Sequence, residues 1–204
     1  MIKAVLFDFD GVLTLDATGS TSIINYIVHE TGIEKKLFVR EYSKYNRDLL
    51  YGNKTHKQIW NSLCDNLNKD ISIEVLYDSF INTPMDNSML GLVRQIKDLG
   101  YMTGIITDNK KDRIDMISKY FELEKLFDYI VVSAEIGSGK DDEVIFQRTI
   151  QDFSIEPNQC IFIDNSKKNL VIPRRMGMKT LFYNHEVRDF EQLKLELESL
   201  GIAT

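Results

Sequence analysis

Cysteine, proline and long apolar runs are all scarce in this chain of 204 residues, and each scarcity excludes something. The two cysteines, Cys64 and Cys160, stand far apart with no second ligand pair beside either, which argues against a disulfide framework and a cysteine-based zinc site. The histidines, His29, His56 and His185, are equally scattered. With only three prolines, no proline-rich linker or low-complexity tract divides the chain. The apolar stretches fall well short of the roughly 20 residues that a membrane-spanning helix needs. The N-terminal residues read as a strand instead of a signal peptide, so the expectation is a cytoplasmic protein with no membrane partner. Positive charge is short as well. Lys and Arg number 25 against 31 Asp and Glu, a formal net charge of -6 that leaves no footprint for nucleic acid. Oligomeric state is left open by the sequence.

What is present is the composition of an ordinary globular protein, 43% hydrophobic and 27% charged, long enough for one domain with a modest insertion. Its organising stretch is the first fourteen residues. Ala4-Val5-Leu6-Phe7 is an unbroken apolar run, which predicts a strand buried on both faces. Asp8 stands at the carboxyl end of that strand, and Asp10 follows two positions later. While the chain stays extended, residues two apart point to the same side, so both carboxylates face one small volume. Two like charges there repel unless a cation or a shared proton is present, and oxygen ligands at this spacing suit Mg2+. Gly11 then permits a sharp turn.

From residue 16 to residue 84 the apolar spacing is helical throughout, with helices expected over 22–29, 37–50, 55–66 and 73–80. Ser20 or Thr21 is available to cap the first, and Gly32 lies beyond its end. A strandless block inserted after the first strand would lie over the carboxyl edge of the sheet as a lid. The expected organisation is therefore an α/β core domain of residues 1–15 and 85–204 with an α-helical cap domain of residues 16–84. After residue 86, strands at 102–106, 129–132, 161–163 and 180–182 alternate with helices over 87–99, 112–120, 142–152, 168–176 and 189–200. The fold class that follows is α/β, a Rossmann-like parallel sheet with helices on both faces. Pro173 within the helix over 168–176 calls for a first-turn position or a kink.

In a parallel sheet the strand exits line up along one edge. Asp8 and Asp10 leave the first strand, Thr107, Asp108 and Asn109 the second, Lys140 follows the third, and Asp164 and Asn165 leave the fourth. Together they supply a carboxylate nucleophile, a second carboxylate for proton transfer, a hydroxyl, a cation and a further acidic metal ligand. That set suits phosphoryl transfer through an aspartyl phosphate. A metal and Lys140 would neutralise the phosphate, while Thr107 and backbone N–H groups would hold its remaining oxygens.

The same segments resemble the motifs of the haloacid dehalogenase-like hydrolase superfamily over essentially the whole chain. Val5-Leu6-Phe7-Asp8-Phe9-Asp10-Gly11-Val12-Leu13 is similar to the family's first motif and Ile105-Ile106-Thr107 to its second. Gly137-Ser138-Gly139-Lys140 is similar to the third and Phe162-Ile163-Asp164-Asn165 to the fourth. Phe127-Asp128-Tyr129-Ile130 and Val144-Ile145-Phe146 also fall where the family has similar text, and the inserted helices resemble its small α-helical cap.

The resemblance implies a magnesium-dependent phosphomonoester hydrolase acting on a small phosphorylated metabolite. Asp8 would be the nucleophile and Asp10 the general acid and base, with Thr107 and Lys140 assisting. Thr107, Asp108, Asn109 and Lys140 would contact the phosphate, and Asp8, Asp10, Asp164 and Asn165 would serve the Mg2+. An aspartate at position 10 favours phosphate chemistry over the dehalogenase branch. Three positions depart from the pattern. Asn165 replaces a second acid found in many cap-bearing members, which implies weaker metal binding. Asp141 follows Lys140 where proline is usual, and Asp108 stands where asparagine is common. A phosphomutase of the same superfamily, or a phosphate- and metal-binding relative with weakened catalysis, are the alternative readings.

For the remaining conspicuous residues the expectations are structural. Trp60, Phe121, Phe127 and Phe146 read as core. Lys110-Lys111 and Arg174-Arg175 read as solvated helix faces, with the steering of anions as the alternative. Asn46, Arg47, Tyr51, Asn53 and His56 read as lid surface, with substrate selection as the alternative for each.

Overall fold

Short runs of β-branched and aromatic residues without polar alternation have to be covered on both sides, and the computed structural model, which describes residues 1–203, shows how. The strands are β1 (Ala4–Phe7), β2 (Met102–Thr107), β3 (Tyr129–Val132), β4 (Cys160–Asp164) and β5 (Lys179–Phe182). They form one parallel sheet in the order β3-β2-β1-β4-β5. In chain order the helices are α1 (Gly19–Thr31), α2 (Lys35–Ser43), α3 (Asn46–Leu50), α4 (His56–Leu67), α5 (Ile73–Ile81), α6 (Asn87–Asp98) and α7 (Lys111–Phe121). The remainder are α8 (Ser133–Ile136), α9 (Val144–Phe153), α10 (Val171–Met176) and α11 (Phe190–Ser199).

The period-two alternation of β1 divides the core. Val5 and Phe7 pack with Leu92 and Ile96 of α6, Ile114 of α7 and Leu197 of α11, whereas Ala4 and Leu6 pack with Ile145 and Phe146 of α9. Helices therefore cover both faces, as expected of the fold. Phe7 pairs with Ile105 on one side and Ile163 on the other, so the exits of β1, β2 and β4 lie within two residues of one another along the sheet edge. The sheet order reverses at β1, and a crevice at the carboxyl end of such a strand is where open α/β sheets bind ligands.

Several boundaries differ from the sequence reading. The first helix begins earlier, at Gly19, because Thr18 rather than Ser20 or Thr21 is the cap, its side chain accepting from Thr21 N–H. The helix expected over 37–50 is two pieces, α2 and α3, separated at Lys44 and Tyr45. The helix expected over 168–176 is a tight turn at Lys167–Leu170 followed by α10, which puts Pro173 in the first turn, where its missing N–H has no helical acceptor to lose. Asp141 and Asp142 precede α9 and do not open it.

The α1–α5 segment contains no strand among the described residues, and its apolar side is continuous with one face of the sheet. Ile23, Ile27, Leu63 and Phe80 belong to the same cluster as Val5 and Phe7. Two backbone hydrogen bonds, Leu15 N–H to Pro84 O at 2.8 Å and Asp86 N–H to Leu13 O at 2.9 Å, hold the segment's two connections side by side. No helix among the described residues is long and apolar enough to cross a membrane.

His56 ties this segment to the sheet-flanking helices. It is fully buried, contrary to the surface reading. Its N–H donates to Asp112 Oδ2 at 3.0 Å, Nδ1 lies 2.8 Å from Asp112 Oδ1, and Nε2 lies 2.8 Å from the Tyr42 hydroxyl. Burial pushes the Tyr42 hydroxyl well above its ordinary range, so it stays protonated and donates to Nε2. Nδ1 then carries the imidazole proton and donates to Asp112. Burial works to raise Asp112, but the His56 contacts outweigh it and hold the carboxyl below its usual value. Burial also lowers His56 below 6.5, despite the opposing pull of Asp112. A folded value below the unfolded one means the unfolded chain binds more protons, so this stabilisation is complete above pH 6.5 and is lost as pH falls through the folded value. Replacing His56→Ala is expected to lower unfolding free energy by ~2–4 kcal/mol at pH 7.5 and to flatten the acid-side loss of stability. Urea titrations from pH 7.5 to 5 check both, and a variant with an unchanged pH profile would contradict the assignment.

Candidate active site

The turn after β1 is shaped by its own side chains. Asp8 stays extended (φ -66°, ψ 160°) and its Oδ1 accepts from Phe9 N–H at 2.7 Å. Thr14 N–H closes the turn on Phe9 O at 3.2 Å, and Gly11 N–H donates to Thr14 Oγ1 at 3.1 Å. Gly11 has φ +81°, and a Cβ there would lie 2.0 Å from Asn165 Nδ2, so conformation and space both select glycine. The exits of β1 and β4 meet at this point.

Lys140 lies between two of the carboxylates. Its Nζ is 2.7 Å from Asp8 Oδ1 and 2.7 Å from Asp164 Oδ2, and the side chain is 2% exposed. Lys140 N–H donates to Asp108 Oδ1 at 2.8 Å, which fixes the loop that delivers the ammonium. Asp164 is held in turn by Ser166 N–H at 2.7 Å and by Asn169 Nδ2 at 3.2 Å. Burial would pull Lys140 down, but Asp8, Asp164 and Asp108 together hold its ammonium above the ordinary lysine range. Burial pushes Asp8 upward; Lys140 opposes this, and the neighbouring Asp164 and Asp10 add to it.

Asp10 has different partners. Arg113, fully buried in α7, donates from Nη1 to Asp10 Oδ2 and from Nη2 to Oδ1, both at 2.9 Å. Asn109 Nδ2 adds a bond to Oδ2 at 2.7 Å and reaches Thr107 Oγ1 at 3.2 Å. Nη2 also touches Thr83 Oγ1, at 3.2 Å, beside the return connection of the helical segment. The first residue of α1 lies directly against this pair. A Cβ on Gly19 would fall 2.4 Å from Arg113 Nη1 and 2.9 Å from Asp10 Oδ2.

A cavity of about 530 Å³ opens over these groups. Asp8, Asp10, Thr107, Asp108, Lys140 and Asn165 line it, while Asn109 and Asp164 lie buried behind it, bonded to Asp10 and Lys140. All eight residues named from the sequence are thus brought to one sheet edge. Asn165 donates from Nδ2 to Ala17 O at 3.4 Å. Among the described residues no three His, Cys, Asp or Glu side chains already converge as a metal cluster, because Asp8 and Asp164 meet on Lys140.

Two features of the site differ from the sequence reading. Arg113 was not singled out, although an arginine one turn into the helix that follows a strand exit is placed to reach that exit. Lys110 is the other: it is 4% exposed and lines the cavity, whereas the sequence reading put it on a solvated face. That reading holds for Lys111, which is exposed and paired with Asp115 and Glu135.

A family model for haloacid dehalogenase-like hydrolases matches residues 2–177, and the chain belongs to that family. Bifunctional epoxide hydrolase 2 of Rattus norvegicus is 24% identical over 221 residues, a match covering 98% of this chain and 39% of that relative's length. This chain therefore corresponds to well under half of that protein. Glyceraldehyde 3-phosphate phosphatase of Pyrococcus furiosus is 30% identical over 93 residues, 45% of this chain and 38% of its own. Among solved structures, HAD family enzyme bt-2542 of Bacteroides thetaiotaomicron, in complex with magnesium and inorganic phosphate, is similar at a TM-score of 0.73 and 20% identity. The match covers 95% of this chain and 99% of that one and establishes the shared fold.

Removing Arg113 strands a buried carboxylate. Arg113→Met is expected to lower stability by ~3–5 kcal/mol. Arg113→Lys is expected to recover only part of that loss, because a single ammonium cannot reproduce the two parallel bonds. Denaturant unfolding of both variants checks this, and equal stabilities of Arg113→Lys and the parent chain would contradict it.

Proposed function

We propose that this chain is a magnesium-dependent phosphomonoester hydrolase that works through an aspartyl phosphate on a small phosphorylated metabolite. The observation that carries the reading is the Lys140 ammonium shared by Asp8 and Asp164 at the floor of a cavity that also exposes Asp10 and Thr107. Hydrolases of this family with phosphatase names, and a fold neighbour holding magnesium and phosphate, agree with it.

Asp8 Oδ1 is engaged by Phe9 N–H and Lys140, while Oδ2 has no hydrogen bond among the described residues. In the proposed reaction Oδ2 attacks phosphorus as the bond from phosphorus to the leaving oxygen breaks. Asp10 gives that oxygen a proton, then takes one from the water that attacks the aspartyl phosphate, returning Asp8 as a free carboxylate. Lys140 neutralises charge beside the nucleophile, and Thr107 donates to a phosphoryl oxygen.

The donors suit Mg2+ in type. They are hard oxygens, with two buried carboxylates, Asp8 and Asp164, the Asp10 carbonyl and the Asn165 amide oxygen as candidates. Magnesium uses one or two carboxylates and completes its shell with water and substrate oxygens, so the absence of a three-carboxylate cluster is no obstacle. When bound, it would polarise the phosphoryl group and offset the negative charge of Asp8 and Asp164. Residues 16–84 are proposed to act as a cap over a core of residues 1–15 and 85–204, with Ala17, Thr18, Ser20 and Asn46 facing the leaving group.

Hydrolysis of p-nitrophenyl phosphate with and without magnesium, and with Asp8→Asn, tests the mechanism. The expected result is loss of activity in EDTA, and a fall on the order of 10³-fold or more in Asp8→Asn while circular dichroism shows the fold retained. Turnover that survives both treatments would reject it. Release of free phosphate without an isomerised product separates the hydrolase from a mutase.

A further inference from the structure

Two lysines are buried at this sheet edge, and their surroundings differ in one respect. Lys140 has two carboxylate partners; Lys110 forms no ion pair among the described residues. Its Nζ donates to Ser20 Oγ at 3.0 Å, which uses one of three donors. Asp10 and Asp112 act on it only through space, and Arg113 repels it. Burial, with Arg113, lowers the ammonium to about 8, so at neutral pH it remains mostly charged. A buried charge without a counter-ion is costly, and no feature of the fold supplies the missing anion.

The cavity around Lys110 has other unused polar capacity. Ser20 belongs to the first turn of α1, whose leading N–H groups have no acceptor within the helix and whose dipole favours a negative charge. Gly19 brings that turn close, and Ala17, Thr18, Gly19 and Ser20 all line the cavity with Lys110.

We propose that Lys110, Ser20 and the start of α1 form a second anion subsite, which takes a carboxylate or a further phosphate carried on the leaving group. The inference rests on the phosphatase reading and narrows it, because the preferred substrates are then small phosphomonoesters with an additional negative group. Lys111 and the α7 surface play no part. The subsite lies in the cavity of Asp8 but uses none of the residues assigned to phosphoryl transfer.

Three esters of similar size separate the possibilities. Glycolate 2-phosphate offers a carboxylate, ethylene glycol bisphosphate a phosphate, and ethyl phosphate no second charge. The expected result is a kcat/KM for at least one anionic ester roughly tenfold or more above that for ethyl phosphate. Lys110→Met removes most of that preference, and Lys110→Arg keeps part of it. The first two esters tell which anion the subsite takes. A parent enzyme without the preference, or a Lys110→Met variant that lowers all three esters by one factor, overturns the inference and leaves the phosphatase reading intact. If no ester is hydrolysed, the phosphatase reading has failed, and calorimetry with glycolate 2-phosphate and ethyl phosphate decides the subsite alone. Weaker binding of the carboxylate probe only, in Lys110→Met, supports it; equal binding by the two proteins overturns it.

Discussion

The buried ammonium of Lys140 is the constraint on which the site depends. It joins a carboxylate at the exit of β1 to one at the exit of β4, two strands held side by side by the pairing of Phe7 with Ile163. The lysine itself comes from neither strand. It arrives on a loop beyond β3, at the far end of the sheet order, and is anchored because Asp108 beyond β2 accepts its N–H. Four strand exits are therefore coupled through one side chain. Desolvating such a group nearly cancels the attraction it gains, so its contribution to stability is small compared with its contribution to geometry. What the arrangement supplies is a fixed positive charge beside Asp8 before any ligand arrives, which is the form of preorganisation that lowers barriers in phosphoryl transfer.

Asp10 illustrates a different use of buried charge. A carboxylate offers about four acceptor positions, and three are filled here, two by Arg113 and one by Asn109. One position is left, and the donors around the other three fix where the carboxylate points. Arg113 also contacts Thr83 on the return connection of α1–α5, while Gly19 leaves room for the start of α1 against the same guanidinium. The orientation of the Asp10 carboxylate is thereby tied to both ends of the helical segment.

Much of this was legible in the sequence. β1 and β3 were bounded correctly because short apolar runs ended by turn chemistry have few other solutions in a parallel sheet. All the acidic and polar strand exits converge because parallel pairing puts carboxyl ends on one edge, a consequence of order and not of distance along the chain. The misreadings came from side chains whose burial depends on tertiary contact. Lys110 and Lys111 are adjacent and chemically identical, yet one precedes α7 and turns inward while the next is paired on its surface. His56 was readable in principle. With Ile59, Trp60 and Leu63 it forms an i, i+3, i+4, i+7 stripe, which marks the apolar face of α4, and its polarity masked the pattern. The break between α2 and α3 had no such signal, since neither glycine nor proline interrupts residues 37–50.

The contacts of the helical segment also bear on how a ligand reaches the cavity. Its two connections are clamped by the pair of backbone bonds at residues 13–15 and 84–86. Elsewhere it is held by His56 with Asp112, by the Ser133 hydroxyl on Leu50 O at 2.8 Å, and by Lys110 on Ser20. Each such bond is worth ~0.5–1.5 kcal/mol net and adds to the apolar contacts the segment shares with the sheet. The Lys110 contact joins two residues that line the cavity. An anion seated there takes up donors that Ser20 alone does not satisfy and binds to both α1 and the residue preceding α7. In the proposed subsite, a second charge on the substrate would thus be held by groups from both the helical segment and the core.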